Sequence, residues 1–240
     1  MAKYGPSSVG YFLVSGKSLA GVTSNITYKT TSTVEETTAL GDSWKEQTPV
    51  GVRSAELSQT GWFDDATNSS VDAFVASETA SKVVTLAPAG STAGSSATGF
   101  EGSFGSEVER VIEKEGLHKL NVTYKVSGAI EEGKIIEALA ARTATGNSSA
   151  VDNTASSASG GSGYVQFTAV SGTSPTMAIV IQHSADDTTY ATLISFTTAG
   201  SVGGERKTVS GTVNRYIRVN ATIGGSSSPS FTYTVAFARG

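Results

Sequence analysis

The chain has 240 residues, of which 38% are hydrophobic and only 16% charged, with 27 Gly, 5 Pro and a net charge of −4. So little charge excludes a long solvated helix or coiled coil, and a near-normal apolar share with small net charge excludes charge-driven disorder. The acidic balance disfavours gripping phosphate backbones, and the lack of any Cys removes disulfides, thiol catalysis and Cys-ligated zinc.

No apolar stretch approaches the roughly 18 residues that a bilayer-spanning helix needs. The opening residues Met1-Ala2-Lys3-Tyr4-Gly5-Pro6 hold one Lys and no apolar run, so no signal peptide is expected.

In chain order, the first strand is expected over Val9–Val14. Asn25 to Thr37 alternates, with Ile26, Tyr28 and Val34 on one side and Thr, Lys and Glu elsewhere. Strands are also expected over Val50–Gln59 and Lys82–Ala87. Between them, Asn68-Ser69-Ser70 precedes Val71, Phe74 and Val75, an N-cap followed by helical spacing, which predicts one helix over Ser70–Ala80. The Gly/Ser/Ala-rich stretch from Ala87 to Gly99 reads as a long surface loop. Val108, Val111 and Ile112 fit a helix or a twisted strand, and Glu107–Ile112 is taken as strand.

The clearest alternation is Leu120, Val122, Tyr124 and Val126 against Lys119, Asn121, Thr123 and Lys125, a half-buried antiparallel strand. The next segment, Glu131–Ala141, is ambiguous. Ile135, Ile136, Leu139 and Ala140 have helical spacing, yet they follow a strand through Ser127-Gly128.

Small polar residues fill Thr145 to Gly163, as a flexible linker would. Six short strands are expected beyond it: Tyr164–Val170, Met177–His183, Tyr190–Thr197, Glu205–Ser210, Arg215–Ile223 and Phe231–Ala238. Turn signals at 172–175, 185–187, 203–204 and 224–229 separate them, the pattern of an all-β sandwich. The fold class is therefore all-β, mainly an antiparallel sandwich or barrel with one short helix, plus a second β-sandwich. The expected division is 1–142, a linker at 143–163, and 164–240.

Catalytic signals are thin. The two histidines, His118 and His183, fall in different expected domains, and no Gly-x-Ser-x-Gly elbow joins a strand to a helix. The carboxylate doublets Glu35-Glu36, Asp64-Asp65, Glu131-Glu132 and Asp186-Asp187 are not glycosidase pairs in themselves, because neighbours on a strand point to opposite faces. No Asp-x-Asp-x-Asp series suggests calcium, no His pair suggests zinc, and Gly160-Gly161-Ser162-Gly163 lacks the Lys-Ser/Thr of a phosphate loop. No catalytic, cofactor-binding or metal residue is assigned, and the chain is not expected to be an enzyme.

What stands out is the loop within Thr33–Pro49. It carries Glu35, Glu36, Leu40, Asp42, Trp44 and Lys45 between two strands. Either Trp44 folds back as a lid on the core, or the loop is an arm that docks on another subunit with Trp44 as its anchor.

Tyr11-Phe12-Leu13-Val14, Thr38-Ala39-Leu40-Gly41-Asp42-Ser43-Trp44 and Leu57 to Asp65 resemble the major tail (tail tube) proteins of long, non-contractile-tailed bacteriophages. Leu117-His118-Lys119 to Val126-Ser127-Gly128 and Glu131-Glu132-Gly133-Lys134 extend that resemblance over roughly residues 9–140. Residues 164–238 look like the accessory β-sandwiches appended to phage virion proteins.

The resemblance implies a β-sandwich flanked by a helix, six copies of which close a ring through an inner β-barrel. Rings stack into a hollow tube that conducts the genome, with the long early loop, here about 33–49, reaching the adjacent ring. It implies a homo-oligomer located in the phage tail and made in the host bacterial cytoplasm. Tape-measure, tail-terminator and distal-tail or baseplate proteins are the implied partners. DNA passes without specific binding, and no membrane or cofactor is called for. The net charge of −4, repeated around rings, fits a lumen that does not hold DNA.

The second expected domain would project from the tube's outer surface, decorating it or binding glycans through Tyr164, Tyr190, Tyr216 or Tyr233. The alternative reading is a carbohydrate-binding or adhesion module of a virion or cell-surface protein. A hydrolase would need His118 or a cross-strand carboxylate pair in a cleft.

Overall fold

The computed structural model describes residues 5–67, 69–70 and 80–240. The expected helix Ser70–Ala80 falls almost wholly on residues 71–79, outside the described residues. The chain is all-β. Its strands are Tyr11–Val14 (β1), Lys17–Ser18 (β2), Thr23–Thr31 (β3), Val34–Glu36 (β4), Gln47–Pro49 (β5), Ser54–Trp62 (β6), Lys82–Ala87 (β7) and Ser96–Val111 (β8). They continue with Lys119–Arg142 (β9), Gly146–Asn147 (β10), Val151–Asp152 (β11), Gly161–Ser184 (β12), Ala191–Ser195 (β13), Gly203–Val209 (β14) and Tyr216–Arg239 (β15). Among the described residues, thirteen strands join one antiparallel network, and β4 and β5 form a separate ribbon.

Four layers of strands stack face to face with a core between each neighbouring pair. β3, β6 and the first half of β9 cover one face of β1 and β7, enclosing Phe12, Leu57, Leu86, Phe100, Leu120 and Tyr124. The opposite face of β1 and β7 packs on the first half of β12 and the second half of β15, around Tyr11, Leu13, Val83, Ile135, Tyr164 and Ala236. The far face of that layer meets β13, the second half of β12 and the first half of β15, around Phe167, Ile179, Ile181, Val219, Phe231 and Tyr233.

This layering explains β1, whose four residues are all buried. Tyr11 and Leu13 serve the middle core while Phe12 and Val14 serve the first, so a continuous apolar run replaces alternation. The same cause resolves the ambiguous 131–141 segment as strand. Ile135 and Ile136 are consecutive and both buried because they face different cores. A strand covered on both faces imitates helical spacing.

Several expected features differ: β8 already begins at Ser96 within the expected 87–99 loop, and Gly203 and Gly204 open β14 instead of forming a turn. Residues 143–163 do not form an open tether. Gly146 and Asn147 pair with Ala221 and Asn220, Val151 and Asp152 pair with Ile217 and Tyr216, and Gly161 already belongs to β12. Small side chains let this segment lie close along β15, and Val151 is buried in the third core.

The expected turns at 172–175 and 224–229 also do not reverse the chain. β12 and β15 each run straight through them as paired 24-residue strands. The ladder shifts register between Ser171 and Thr176, where Gly172, Ser174, Gly225, Ser227 and Ser228 all adopt positive φ. The Gly and Ser residues build matched bulges that kink the two strands together, so each serves two layers. Four strands thus stand where six were expected.

Candidate assembly surface

The arm grows from the end of β3. Val34, Glu35 and Glu36 pair with Pro49, Thr48 and Gln47, and Val50 N–H donates to Thr33 O at 2.9 Å to close the base. Thr37 N–H donates to Glu46 O at 3.0 Å, and Glu46 N–H donates to Thr38 Oγ1 at 3.0 Å. At the tip, Asp42 Oδ2 accepts from Ala39 N–H at 2.6 Å while Asp42 N–H donates to Ala39 O at 3.1 Å, with Gly41 at φ +110°. Asp tightens its own turn and Gly takes the left-handed position that the turn needs.

These bonds are local, and the arm's apolar residues are left outside. Leu40 is fully exposed, Trp44 is 85% exposed and Val34 is half exposed. Trp44 is therefore not a lid on the core. Of the residues singled out for assembly, the fold pairs Glu36 with Lys45 at 2.8 Å and uses Asp42 in the turn. Glu35 lies on β4, and Leu40 and Trp44 flank the tip. Both members of the Glu36–Lys45 pair are more than half exposed, so it adds at most about 1 kcal/mol.

A second polar feature sits in the middle core, where Glu131 of β9, Ser162 and Tyr164 of β12 and Arg206 of β14 converge. Arg206 grips the carboxylate through both Nη2 (2.8 Å) and Nε (3.2 Å), Ser162 Oγ donates to it at 2.8 Å, and Tyr164 O–H donates to its other oxygen. Burial pushes the Glu131 carboxyl up, but the Arg206, Tyr164 and Ser162 hydrogen bonds outweigh it and hold it below the usual carboxylate range. Burial and the Glu131 charge together drive the Tyr164 hydroxyl far up. Nearby, Tyr11 and Thr234 share a 3.0 Å hydrogen bond, and Gln166 spans the layers by accepting from Gly16 N–H (2.7 Å) and donating to Val83 O (3.0 Å). These contacts are spread over more than seventy residues of sequence, so no local pattern announces them.

Several of the residues weighed for chemistry are hydrogen-bonded within the fold. His183 Nδ1 accepts from Asn214 N–H at 3.1 Å, and burial followed by the Arg239 charge lowers its pKa. His118 lines a small recess with Phe63, Arg110 and Ile112. Asp64 accepts from Ser69 and Ala66, Glu132 accepts from Thr98, and Asp186 accepts from the N–H groups of Thr188 and Thr189. Of the tyrosines, Tyr164 and Tyr233 are core, while Arg218 covers the Tyr190 ring at 3.6 Å and Arg215 covers Tyr216 at 4.9 Å. Among the described residues no cluster of His, Asp or Glu could hold a metal ion, and no helix is long and apolar enough to cross a membrane.

Neither a protein-family model nor a curated protein matches the chain. Among solved structures, the chain shows a TM-score of 0.37 and 14% identity to Dit (gp 19.1) of phage SPP1, covering 96% of this chain and 98% of that one. That protein is described as a paradigm of the hub adsorption apparatus in phages infecting Gram-positive hosts. A second similarity, to the structure of infectious bursal disease virus Gx strain, has a TM-score of 0.19 and 12% identity over 99% of this chain and 64% of that one. Likenesses of this size carry no functional argument. Among the described residues, the fold is an all-β one with an apolar-tipped arm over residues 33–49.

Proposed function

We propose that the chain is a structural virion protein of a phage tail, a tail-tube subunit that self-assembles into stacked hexameric rings forming the conduit for genome delivery. The observation that carries this reading is the arm, an ordered hairpin that presents Leu40 and Trp44 to solvent although the fold gives them nothing to cover. Two large apolar side chains exposed on one hairpin are a surface that a contact with another molecule would cover. The tail-tube resemblance of residues 9–140 makes that molecule another copy of the chain.

On this reading the mechanism is geometric and includes no chemical step. Sheet edges and apolar contacts close the ring, the arm joins neighbouring rings, and the C-terminal half rides on the exterior as a body packed against the first half. The test is deletion of residues 37–47, followed by circular dichroism, solution mass and negative-stain electron microscopy. A folded monomer that forms no tubes is expected, and normal tubes from the deletion would refute the arm's role.

A further inference from the structure

A recess of about 280 Å³ lies where the start of β8 and the middle of β9 meet the end of β15, lined by Ser96, Glu132, Lys134, Asn153, Phe237 and Arg239. Lys134 pairs in register with both Ser96 and Phe237, and Arg239 follows Phe237 by two residues on β15. Two cations thus share one recess with a single carboxylate. We propose that this recess binds a small oxyanion, a phosphate or carboxylate group, with Lys134 as its contact and Arg239 as a fixed charge behind it. The inference does not depend on the assembly reading above.

Missing charge compensation selects the recess. Arg239 Nη1 donates to Val213 O at 3.1 Å and Ser157 Oγ at 3.3 Å, and Nη2 donates to Asn214 O and, at 3.4 Å, to Arg215 O. These oxygens fix the guanidinium without neutralising it, and its Nε is buried with no acceptor. Arg206 and Arg215, each gripping a carboxylate, are raised in pKa by that contact, whereas burial lowers the pKa of Arg239. Asn153 Nδ2 donates to the same Arg215 O at 3.3 Å, which places the Arg239 head beside Asn153.

The acids nearby are already engaged. Glu132 Oε2 accepts from Thr98 Oγ1 at 2.8 Å, and Asp152, which feels the Lys134 charge, is held by Arg215 at 2.6 and 2.7 Å. Among the described residues neither Lys134 nor Arg239 forms a salt bridge. The other charged recesses differ. Arg142 meets Glu137 at 2.6 Å in one, and Lys119 meets Glu113 at 2.7 Å while Arg110 covers the Phe63 ring in another. The recess beside Phe167 carries Glu205 and no cation. Two partly buried cations without a counter-charge repel each other, and an anion between them relieves both costs.

The test titrates the full-length protein with sodium phosphate and, separately, sodium acetate by isothermal calorimetry, at neutral pH and an ionic strength held constant with chloride. Saturable binding of at least one anion at a single site is expected, and the tighter of the two names the group. Lys134→Gln should weaken it roughly tenfold or more, as loss of a charge-assisted hydrogen bond does. Glu132→Gln removes the one carboxylate of the recess yet keeps an oxygen for Thr98, so it should tighten binding several-fold. Lys114→Gln, an exposed cation outside the recess, should leave affinity unchanged, and circular dichroism checks that every variant is folded. No saturable binding of either anion would overturn the proposal. So would equal affinity in wild type and Lys134→Gln, or binding that Glu132→Gln fails to strengthen.

Discussion

The middle core and the arm use the same residue types in opposite ways. At the middle core, Tyr11, Leu13 and Tyr164 are buried to within a few per cent, and Glu131 is gripped by three side chains. At the arm, Trp44 and Leu40 stand in water on a hairpin held by local hydrogen bonds and the Glu36–Lys45 pair. Both regions are ordered, but only the first gains stability from its apolar surface. Where a fold orders an apolar side chain without burying it, the remaining free energy is available to a partner. Damage to the core should therefore appear as lost stability, and damage to the arm as lost association.

The largest expected effect is at the core. Leu13→Ala should cost about 2–5 kcal/mol, because the residue is fully buried between two close-packed layers. Since that core joins the halves, calorimetry should show one transition that shifts as a whole. Two separated transitions would mean that the halves are independent bodies. By the same logic, removing residues 164–240 should not release an intact first half. It would uncover Tyr11, Leu13 and Ile135 and strip the second half of β9 of its β15 partner, giving an aggregating product, and a soluble, cooperatively folded 1–163 fragment would contradict the shared core.

Next in size is Arg206→Ala, which leaves the half-buried Glu131 without its bidentate partner. A loss of about 1.5–3 kcal/mol is expected from hydrogen bonds to a charged group. The pH dependence has a defined sign. The folded pKa of Glu131 lies below its ordinary value, so its contribution is present at neutral pH and is lost as pH falls through the depressed folded pKa. The stability gap between wild type and Glu131→Gln, measured by urea unfolding, should therefore shrink on acidification below about pH 4. A gap that widens there would contradict the assignment.

Much of the fold was legible in the sequence, for stated reasons. β7 runs over Lys82–Ala87 as expected, and the alternation from Leu120 to Val126 marks the half-buried start of β9. The protruding loop with Trp44 could be picked out because a Trp among charges between strands has no obvious place in a core. The rest was hidden by layering and range. Ile135 and Ile136 face two cores, which a one-face pattern cannot represent. The Gly and Ser clusters at 172–176 and 224–228 could be read as turns because bulges and turns favour the same residues. Glu131 and Arg206 are 75 residues apart, so their meeting is a property of the sheet order and not of any motif.

The smallest stability effect is expected at the arm. Trp44→Ser should change unfolding free energy by no more than about 0.5 kcal/mol, as an exposed substitution away from the core does. The same substitution provides the most direct test of the account. Wild type and Trp44→Ser, concentrated side by side, would be compared by negative-stain electron microscopy with solution mass measured in parallel. The account predicts hollow tubes or six-fold rings from wild type and dispersed, fully folded monomers from Trp44→Ser. Indistinguishable assemblies from both proteins, or monomers from both, would contradict it.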